Sequence, residues 1–380
     1  MFYIRYPFYV PDFNCSRLDG GIALNIRSVP SVGFRFISAC IRFRANPVKA
    51  LMRFVKLYRR ELFAPDEIYF HRLLDPAIDD AVIRRMISKE KMLKPQLRLN
   101  PSEFRHYVDN KVTFHAECAR HGLPTPELFA IVDPAGGSAE IVRVLRTPQQ
   151  VESFLKTTPN NRMMLKPADG YDGVGVDRLE RRGDHWYGLQ GEQLNPSLAF
   201  FGNKHPESSR WLFQQVVSNH PELFKLTGAI GLQTLRVRTV VNSTGEPEIL
   251  AALLRLISGD HVYDNFRGGA TGNMIALLDA ANGRIVEVVA STEDHHEICS
   301  VTAHPVTGKS LIGFTVPHWE AIHALALQAA VFFLPLRCIG WDIAITDTGP
   351  LLIEGNITWG ILNRERDAYD YLLELSANNP

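Results

Sequence analysis

Cysteine is scarce in this chain of 380 residues, and the five thiols, Cys15, Cys40, Cys118, Cys299 and Cys338, are odd in number and far apart, with no C-x-x-C pair among them. That pattern argues against a disulfide framework or a thiolate zinc site and points to reduced thiols in the cytoplasm. Net charge is missing as well: 41 basic residues balance 41 acidic ones, so no global field draws the molecule to nucleic acid. No apolar run is suited to crossing a bilayer. The most apolar stretch, Ala321 to Leu336, holds His323 and Gln328 and ends at Pro335 and Arg337, and the overlapping Pro317 to Ala330 reads as a buried helix. The opening MFYIRYPFYVP lacks the basic start, apolar run and small-residue cleavage site of a signal peptide. There is no G-x-x-x-x-G-K-[ST] loop and no G-x-G-x-x-G between a strand and a helix, which removes P-loop and Rossmann chemistry. Repeats and low-complexity tracts are absent.

What is present is enough apolar residue, 46% of the chain, for the cores of two or three domains. One stretch near the end organises the rest. GWDIAIT (Gly340 to Thr346) and PLLIEGN (Pro350 to Asn356) flank Asp347-Thr348-Gly349, which reads as a three-residue hairpin loop closed by glycine. In that register Thr346 faces Pro350, and counting back sets Asp342 opposite Glu354. Strand side chains alternate faces, so Glu354 and Asn356 point the same way and Asp342 joins them across the ladder. Two carboxylates and an amide oxygen so placed repel one another without a cation, and hard oxygen donors of this kind suit Mg²⁺ carrying a nucleotide. The plain alternative is a pair of solvated acids on an ordinary hairpin; the apolar flanks favour the metal.

Earlier in the chain, Gly21 to Arg60 holds nine basic residues and no acid. Val48, Leu51, Met52, Val55, Leu57 and Tyr58 have helical spacing there, with Lys49, Arg53, Lys56, Arg59 and Arg60 on the remaining face. Such a helix either lies solvated at a domain edge or rests on an anionic membrane, carrier or nucleic acid. Asp75 to Lys94 is expected to be one helix closed by Pro95. A further helix carries Lys111 and stops at Gly122, and Lys111 alone reads as a surface lysine. MMLKPADGYDGVGV (Met163 to Val176) reads as strand, glycine-rich loop and strand. Gly170, Gly173 and Gly175 let the backbone approach a bulky anion, and Lys166 adds charge at the strand end, although a glycine-rich hairpin tip looks similar. WLFQQVV (Trp211 to Val217) suits a linker strand. In GLQTLRVRTVV, alternation puts Thr234, Arg236 and Arg238 on one face, as a planar clamp for an anion or as partners of surface acids. DNFRGGATGN is a second glycine-rich loop, Asn282-Gly283 a hairpin turn, and EDHHE (Glu293 to Glu297) a solvated loop.

In order, Lys111, Lys166 with its glycine loop, a hinge strand, the Arg236 strand, and then Asp342, Glu354 and Asn356 resemble the ATP-grasp superfamily. The strings QTLRVRTVV, DNFRGGATGN, HPVTGK and GWDIAIT followed by GPLLIEGN are similar to the branch called sugar-transfer-associated ATP-grasp, related to alpha-L-glutamate ligases, from about Asn100 to Asn363. The resemblance implies an α+β fold in which two lobes clasp ATP. A mainly helical, basic region (1–100) precedes a lobe with the glycine-rich lid (101–215) and a lobe with the metal hairpin (216–375). Lys111 and Lys166 would contact the phosphates, Gly170, Gly173 and Gly175 would close as a lid, and Gln214, Gln215 and Val217 would hold the adenine. Asp342, Glu354 and Asn356 would bind one or two Mg²⁺. Arg236 with Arg238 would bind the transferring phosphoryl group and the later oxyanion, and Asn265 with Gly268-Gly269 would line the acceptor side. Gln214-Gln215 departs from the glutamate that many such enzymes carry near the hinge, which bears on ribose recognition.

The implied reaction is ADP-forming carboxylate–amine ligation through an acyl phosphate, on a small molecule or saccharide precursor of polysaccharide or secondary-metabolite biosynthesis. Kinase, carboxylate–thiol ligase and non-catalytic nucleotide-binding readings stand beside it. The expected partners are a small carboxylate and an amine, without nucleic acid or a transmembrane segment, and with the basic arm as the candidate for peripheral contact.

Overall fold

The computed structural model describes residues 29–135, 142–169, 175–188, 191–194, 210–259, 263–292, 297–360, 362 and 365–377. It opens with a helical hairpin, α1 (Val29–Arg42) and α2 (Pro47–Arg60). Asn46 caps α2 by accepting from the N–H groups of Val48 and Lys49, and Pro47 fits the first turn, where no N–H is needed. The hairpin closes on α3 (Pro65–Phe70) around Leu57, Phe63, Ile68, Tyr69 and Leu73. The expected amphipathic helix is therefore present, but its apolar stripe is split: Leu57 is buried, whereas Val48, Leu51, Met52 and Val55 face solvent.

The single helix expected over Asp75 to Lys94 is two helices, α4 (Asp80–Arg84) and α5 (Lys89–Leu99). Ser88 starts α5 as its cap, and the helix runs through Pro95 instead of stopping there. The missing N–H forfeits one helical bond, a cost offset by burying the proline ring with Met92 and Leu99. Next come α6 (His106–Asp109) and α7 (Lys111–Arg120), the latter capped by Asn110, whose side chain accepts from Val112 and Thr113 N–H.

The first sheet holds β1 (Leu128–Val132), β2 (Val144–Leu145), β3 (Arg162–Pro167), β4 (Asp177–Arg182), β5 (His185–Tyr187), β6 (Gln193–Leu194) and β7 (Trp211–Gln214). Their order is β2-β1-β7-β3-β4-β5-β6, antiparallel except for the β1–β2 pair. One helix, α8 (Pro148–Thr157), packs Val151, Phe154 and Leu155 into this core with Leu165, Trp186 and Phe213. After α9 (Pro221–Thr227) the second sheet is fully antiparallel: β8 (Thr234–Val241), β9 (Pro247–Leu256), β10 (Met274–Asp279), β11 (Arg284–Ser291), β12 (Ile298–Ser300), β13 (Cys338–Thr346) and β14 (Gly349–Asn356), in the order β12-β11-β10-β9-β8-β13-β14. The buried helix expected near Pro317 to Ala330 forms as α10 (Trp319–Phe332) and lays Ile322, Leu325, Ala326 and Ala329 against this sheet. The chain ends in α11 (Arg366–Ala377), whose Leu372 and Leu375 pack with α5.

The first sheet ends at Gln214 and the second begins at Thr234, yet Val108, Phe114, Cys118 and Leu123 lie in the core of the second. The helix bearing Lys111 thus rests on one sheet while its first N–H bonds to Ala168 O at the end of β3 in the other, at 3.0 Å. A second tie joins the helical region to the closing hairpin. The fully buried Asn100 donates to Cys338 O (2.6 Å) and Ile357 O (3.0 Å) and accepts from Cys338 N (3.0 Å). Asn100→Ala would strand these backbone groups without water, so a loss of roughly 2–4 kcal/mol in urea unfolding, at unchanged denaturant slope, is expected.

Candidate active site

The hairpin β13–β14 sets the site. Its turn holds two residues instead of the expected three, so Thr346 pairs with Gly349 and Ile345 with Pro350. A bulge then inserts one extra residue on β14 between the pairs Ile343–Leu352 and Asp342–Glu354. The two departures cancel, and Asp342 faces Glu354 by a different route from the one the sequence suggests. Asn356 lies one step beyond, opposite Gly340, with its amide 3.5 Å from a Glu354 oxygen.

Asp342 is the most heavily engaged side chain. Arg236 on β8 grips it with two guanidinium nitrogens, Nε and Nη2, and Arg255 on β9 donates to it at 3.1 Å. Burial works against its charge, but Arg236 and Arg255 outweigh burial and hold the carboxyl down at about 2. Arg255 also donates to Thr234 Oγ1 (3.3 Å) and lies 3.6 Å from Asp264, which itself accepts from Thr234 N (2.7 Å) and Oγ1 (2.6 Å). Gly340 makes room for the clamp, since a Cβ there would sit 3.0 Å from Arg236 Cδ.

Glu354 behaves in the opposite way. Burial, the charge of Asp342 and a hydrogen bond to Asp342 all push its carboxyl upward, against the pull of Lys111 and Arg236. Two lysines stand within electrostatic reach. Lys166 at the end of β3 is lowered to about 8, by burial first and by Lys111 in addition, against the pull of Glu354. Lys111 is also lowered by burial and supported by Glu354, Asp169 and Asp109. Beneath Lys166, the imidazole of His115 is held neutral, at about 4, by burial and by that lysine, and sits 2.7 Å from the Gln214 amide.

Other expected residues are placed as follows. Gly170 and Gly173 lie outside the described residues, and Gly175 has φ +75°. Gln214 turns inward to His115, whereas Gln215 is exposed and pairs with Glu127 in both directions, N–H to O at 2.8 Å and Glu127 N–H to Oε1 at 3.1 Å. Val217 is half-buried in the crossing between the sheets. Arg238 does not join Arg236: it is buried against Trp359, where it bonds Glu365 (2.6 Å) and Gly360 O (2.8 Å) and so anchors the segment entering α11. Asn265 offers its carbonyl to Thr271 and Asn273, and Gly269 packs against Phe70 and Ser291, toward the helical region. Within EDHHE, 293–296 lie outside the described residues, while the buried Glu297 pairs with Arg42 and Arg72.

Arg255, Asp264 and His115 were not foreseen. Arg255 left a signal, because it is the one charge near the end of the otherwise apolar EILAALLRLI, and a charge buried on a strand needs an anionic partner. Asp264 and His115 left none.

The donor set suits a divalent cation. Among the described residues no cluster of three or more His, Cys, Asp or Glu could hold a metal. Two carboxylates with an adjacent amide oxygen nonetheless match Mg²⁺, which draws its remaining ligands from water and phosphate. The charge of Asp342, which with burial pushes the Glu354 carboxyl upward, marks where positive charge is wanted.

This geometry coincides with a match over residues 92–365 to the family described as sugar-transfer associated ATP-grasp. The chain belongs to that family. The match covers well over half of the molecule and both sheets, and the fold is accordingly ATP-grasp, with a helical region before it. No curated protein matches the chain. Among solved structures it is similar to a biotin carboxylase from Campylobacter jejuni, with 11% identity, 73% of this chain and 48% of that one covered, and a TM-score of 0.44. It is also similar to a D-alanyl-alanine synthetase A from Vibrio cholerae, with 12% identity, 73% and 66% covered, and a TM-score of 0.43. This ATP-grasp chain spans about half the length of the biotin carboxylase.

Two outcomes follow from the charges. Because the folded state raises the affinity of Glu354 for a proton, it binds more protons than the unfolded state above the usual glutamate range, and stability from this group falls as pH rises. Unliganded Glu354→Gln should therefore melt no lower than wild type at neutral pH, with the difference shrinking on acidification in a pH series of thermal scans. Arg255→Met leaves Asp264 and part of Asp342 uncompensated and should cost about 3 kcal/mol in chemical unfolding.

Proposed function

We propose that the chain is an ATP-dependent ligase that joins a small carboxylate to an amine through an acyl phosphate. The observation behind this reading is that Lys111, resting on one sheet, and Lys166, ending a strand of the other, both bear on Glu354, which touches an Asp342 already clamped by Arg236 and Arg255. Such a site gathers positive charge from both lobes. Among the described residues it contains no side chain poised as a nucleophile; Cys118 and Cys338 are buried in the cores. Phosphoryl transfer needs little else than positioning and charge neutralisation.

In this reading Lys111 and Lys166 hold the phosphates of ATP, and the segment from Gln214 to Val217, beside Glu127, receives the adenine. Asp342, Glu354 and Asn356 would hold Mg²⁺, which when bound offsets the phosphate charge. An oxygen of the substrate carboxylate attacks the terminal phosphorus and ADP leaves. The amine then attacks the acyl carbon, inorganic phosphate departs with the former carboxylate oxygen, and the amine's proton passes to solvent. Arg236, freed from one bond to Asp342, faces the transferring group and Arg255 keeps Asp342 ionised. The family name motivates a saccharide or saccharide precursor as one of the two substrates, and the free thiols fit a cytoplasmic enzyme.

Calorimetry tests the nucleotide site first. Wild type should bind ATP in a Mg²⁺-dependent manner, Glu354→Gln should lose the Mg²⁺ dependence, and Lys166→Met should weaken binding by roughly one to two orders of magnitude. Absence of nucleotide binding by wild type would overturn the reading. Because Lys166 titrates near pH 8 in the free protein, phosphate binding favours its charged form, so ATP should bind with proton uptake around pH 8 and more weakly above it. Titrations in buffers of different ionisation enthalpy measure that proton. A panel of carboxylates and amines assayed for ADP then tests the ligation, and labelled phosphate retained on a stable product would mark a kinase instead.

A further inference from the structure

The hairpin of α1 and α2 turns outward a set of apolar side chains that no described residue covers. Phe34, Ile37 and Ile41 recur at helical spacing on α1, and Val48, Met52 and Val55 do so on α2, with exposures of 71% at Phe34, 74% at Ile41 and 67% at Val48. Both inner faces close on the same layer: Phe36 from α1 and Phe54 from α2 meet edge to face, and Phe54 packs on Tyr69 of α3. The outer faces therefore lie side by side and form one continuous apolar strip, of the sort a solubly isolated domain seldom leaves bare.

Cations rim this strip. Arg35, Arg42 and Arg53 are paired with Asp66, Glu297 and Asp80 on neighbouring elements. Lys49, Lys56, Arg59 and Arg60 have no carboxylate partner among the described residues, and Gly21 to Arg60 contains no acid at all. Charge selects among occupants. A second copy docking face to face would set one basic rim against another, and a nucleic acid would leave the apolar strip in water. An anionic bilayer satisfies both features, since lysine and arginine heads reach the headgroups while apolar side chains enter the acyl boundary. Each helix has 14 residues, and no helix among the described residues is long and apolar enough to cross a membrane, so the hairpin would lie in the plane of the interface.

We propose that the outer face of α1–α2 is a docking surface for an anionic lipid bilayer, holding the ATP-grasp lobes at the membrane surface. The test is co-sedimentation of the full chain with vesicles of phosphatidylcholine alone and of phosphatidylcholine with about one third phosphatidylserine. Pelleting with the anionic vesicles only, weakened by salt, is expected. Phe34→Ser with Ile37→Ser and Ile41→Ser, and separately Lys49→Gln with Lys56→Gln, Arg59→Gln and Arg60→Gln, should each lower binding by roughly tenfold or more. Both variants should keep the wild-type melting temperature and ATP affinity, so the result stands apart from the fate of the ligase reading. No binding to anionic vesicles, or binding unchanged by the two variants, would overturn the proposal. So would a fall in melting temperature in the serine variant, which would show that the chain's own residues 1–28 cover the strip, or a concentration-dependent dimer abolished by that variant.

Discussion

Asp342 under two arginines is the constraint on which the site depends. A carboxylate buried within an antiparallel sheet is costly unless cations meet it, and Arg236 and Arg255 arrive from the two next strands in the sheet to do so. Their grip keeps Asp342 ionised, and that charge, together with burial, pushes the Glu354 carboxyl upward. The same arrangement explains why β9 carries an arginine among leucines and why Gly340 has no side chain. Stability is spent locally so that a set of oxygens and cations stays ready for a charged ligand.

The rest of the architecture brings charge to that point from both sides. α7 packs into the core of the second sheet, yet its first N–H is tied to the end of β3, so Lys111 and Lys166 come within electrostatic reach of each other although their elements pack in different cores. Asn100 fixes the helical region to the closing hairpin through three buried bonds, and Arg238 with Glu365 holds the terminal segment across the same strands. Two arginines two residues apart thus serve different ends: one faces the site and the other anchors the chain.

Much of the element plan was legible beforehand. Strands with alternating or continuous apolar residues, the stop at Gly122 and the buried helix before the last hairpin all follow from local pattern, which acts over a few residues. Where the pattern was ambiguous the structure differs: Pro95 sits inside a helix because burial offsets its lost bond, and the basic helix buries Leu57 while exposing Val48, Leu51, Met52 and Val55. The pairing of Asp342 with Glu354 was foreseen from a turn one residue too long, and only the bulge on β14 restores it.

The sequence by itself determined that the chain has the ATP-grasp order of parts, because that order is written in short strings whose strand and loop preferences are local. It also singled out Lys166, Arg236, Asp342 and Glu354, since charge on an apolar strand or beside a glycine-rich loop stands out without any neighbour, and Asn356 by strand alternation from Glu354, whereas Lys111 read alone as a surface lysine and entered only through the resemblance. Tertiary structure alone decided that Arg255 and Asp264 join the cluster, that Arg238 leaves it, and that Gln214 faces His115. Those outcomes turn on which strands lie side by side and which way a partner hundreds of atoms away along the chain is facing, and no local spacing encodes the energy of a buried ion pair between them.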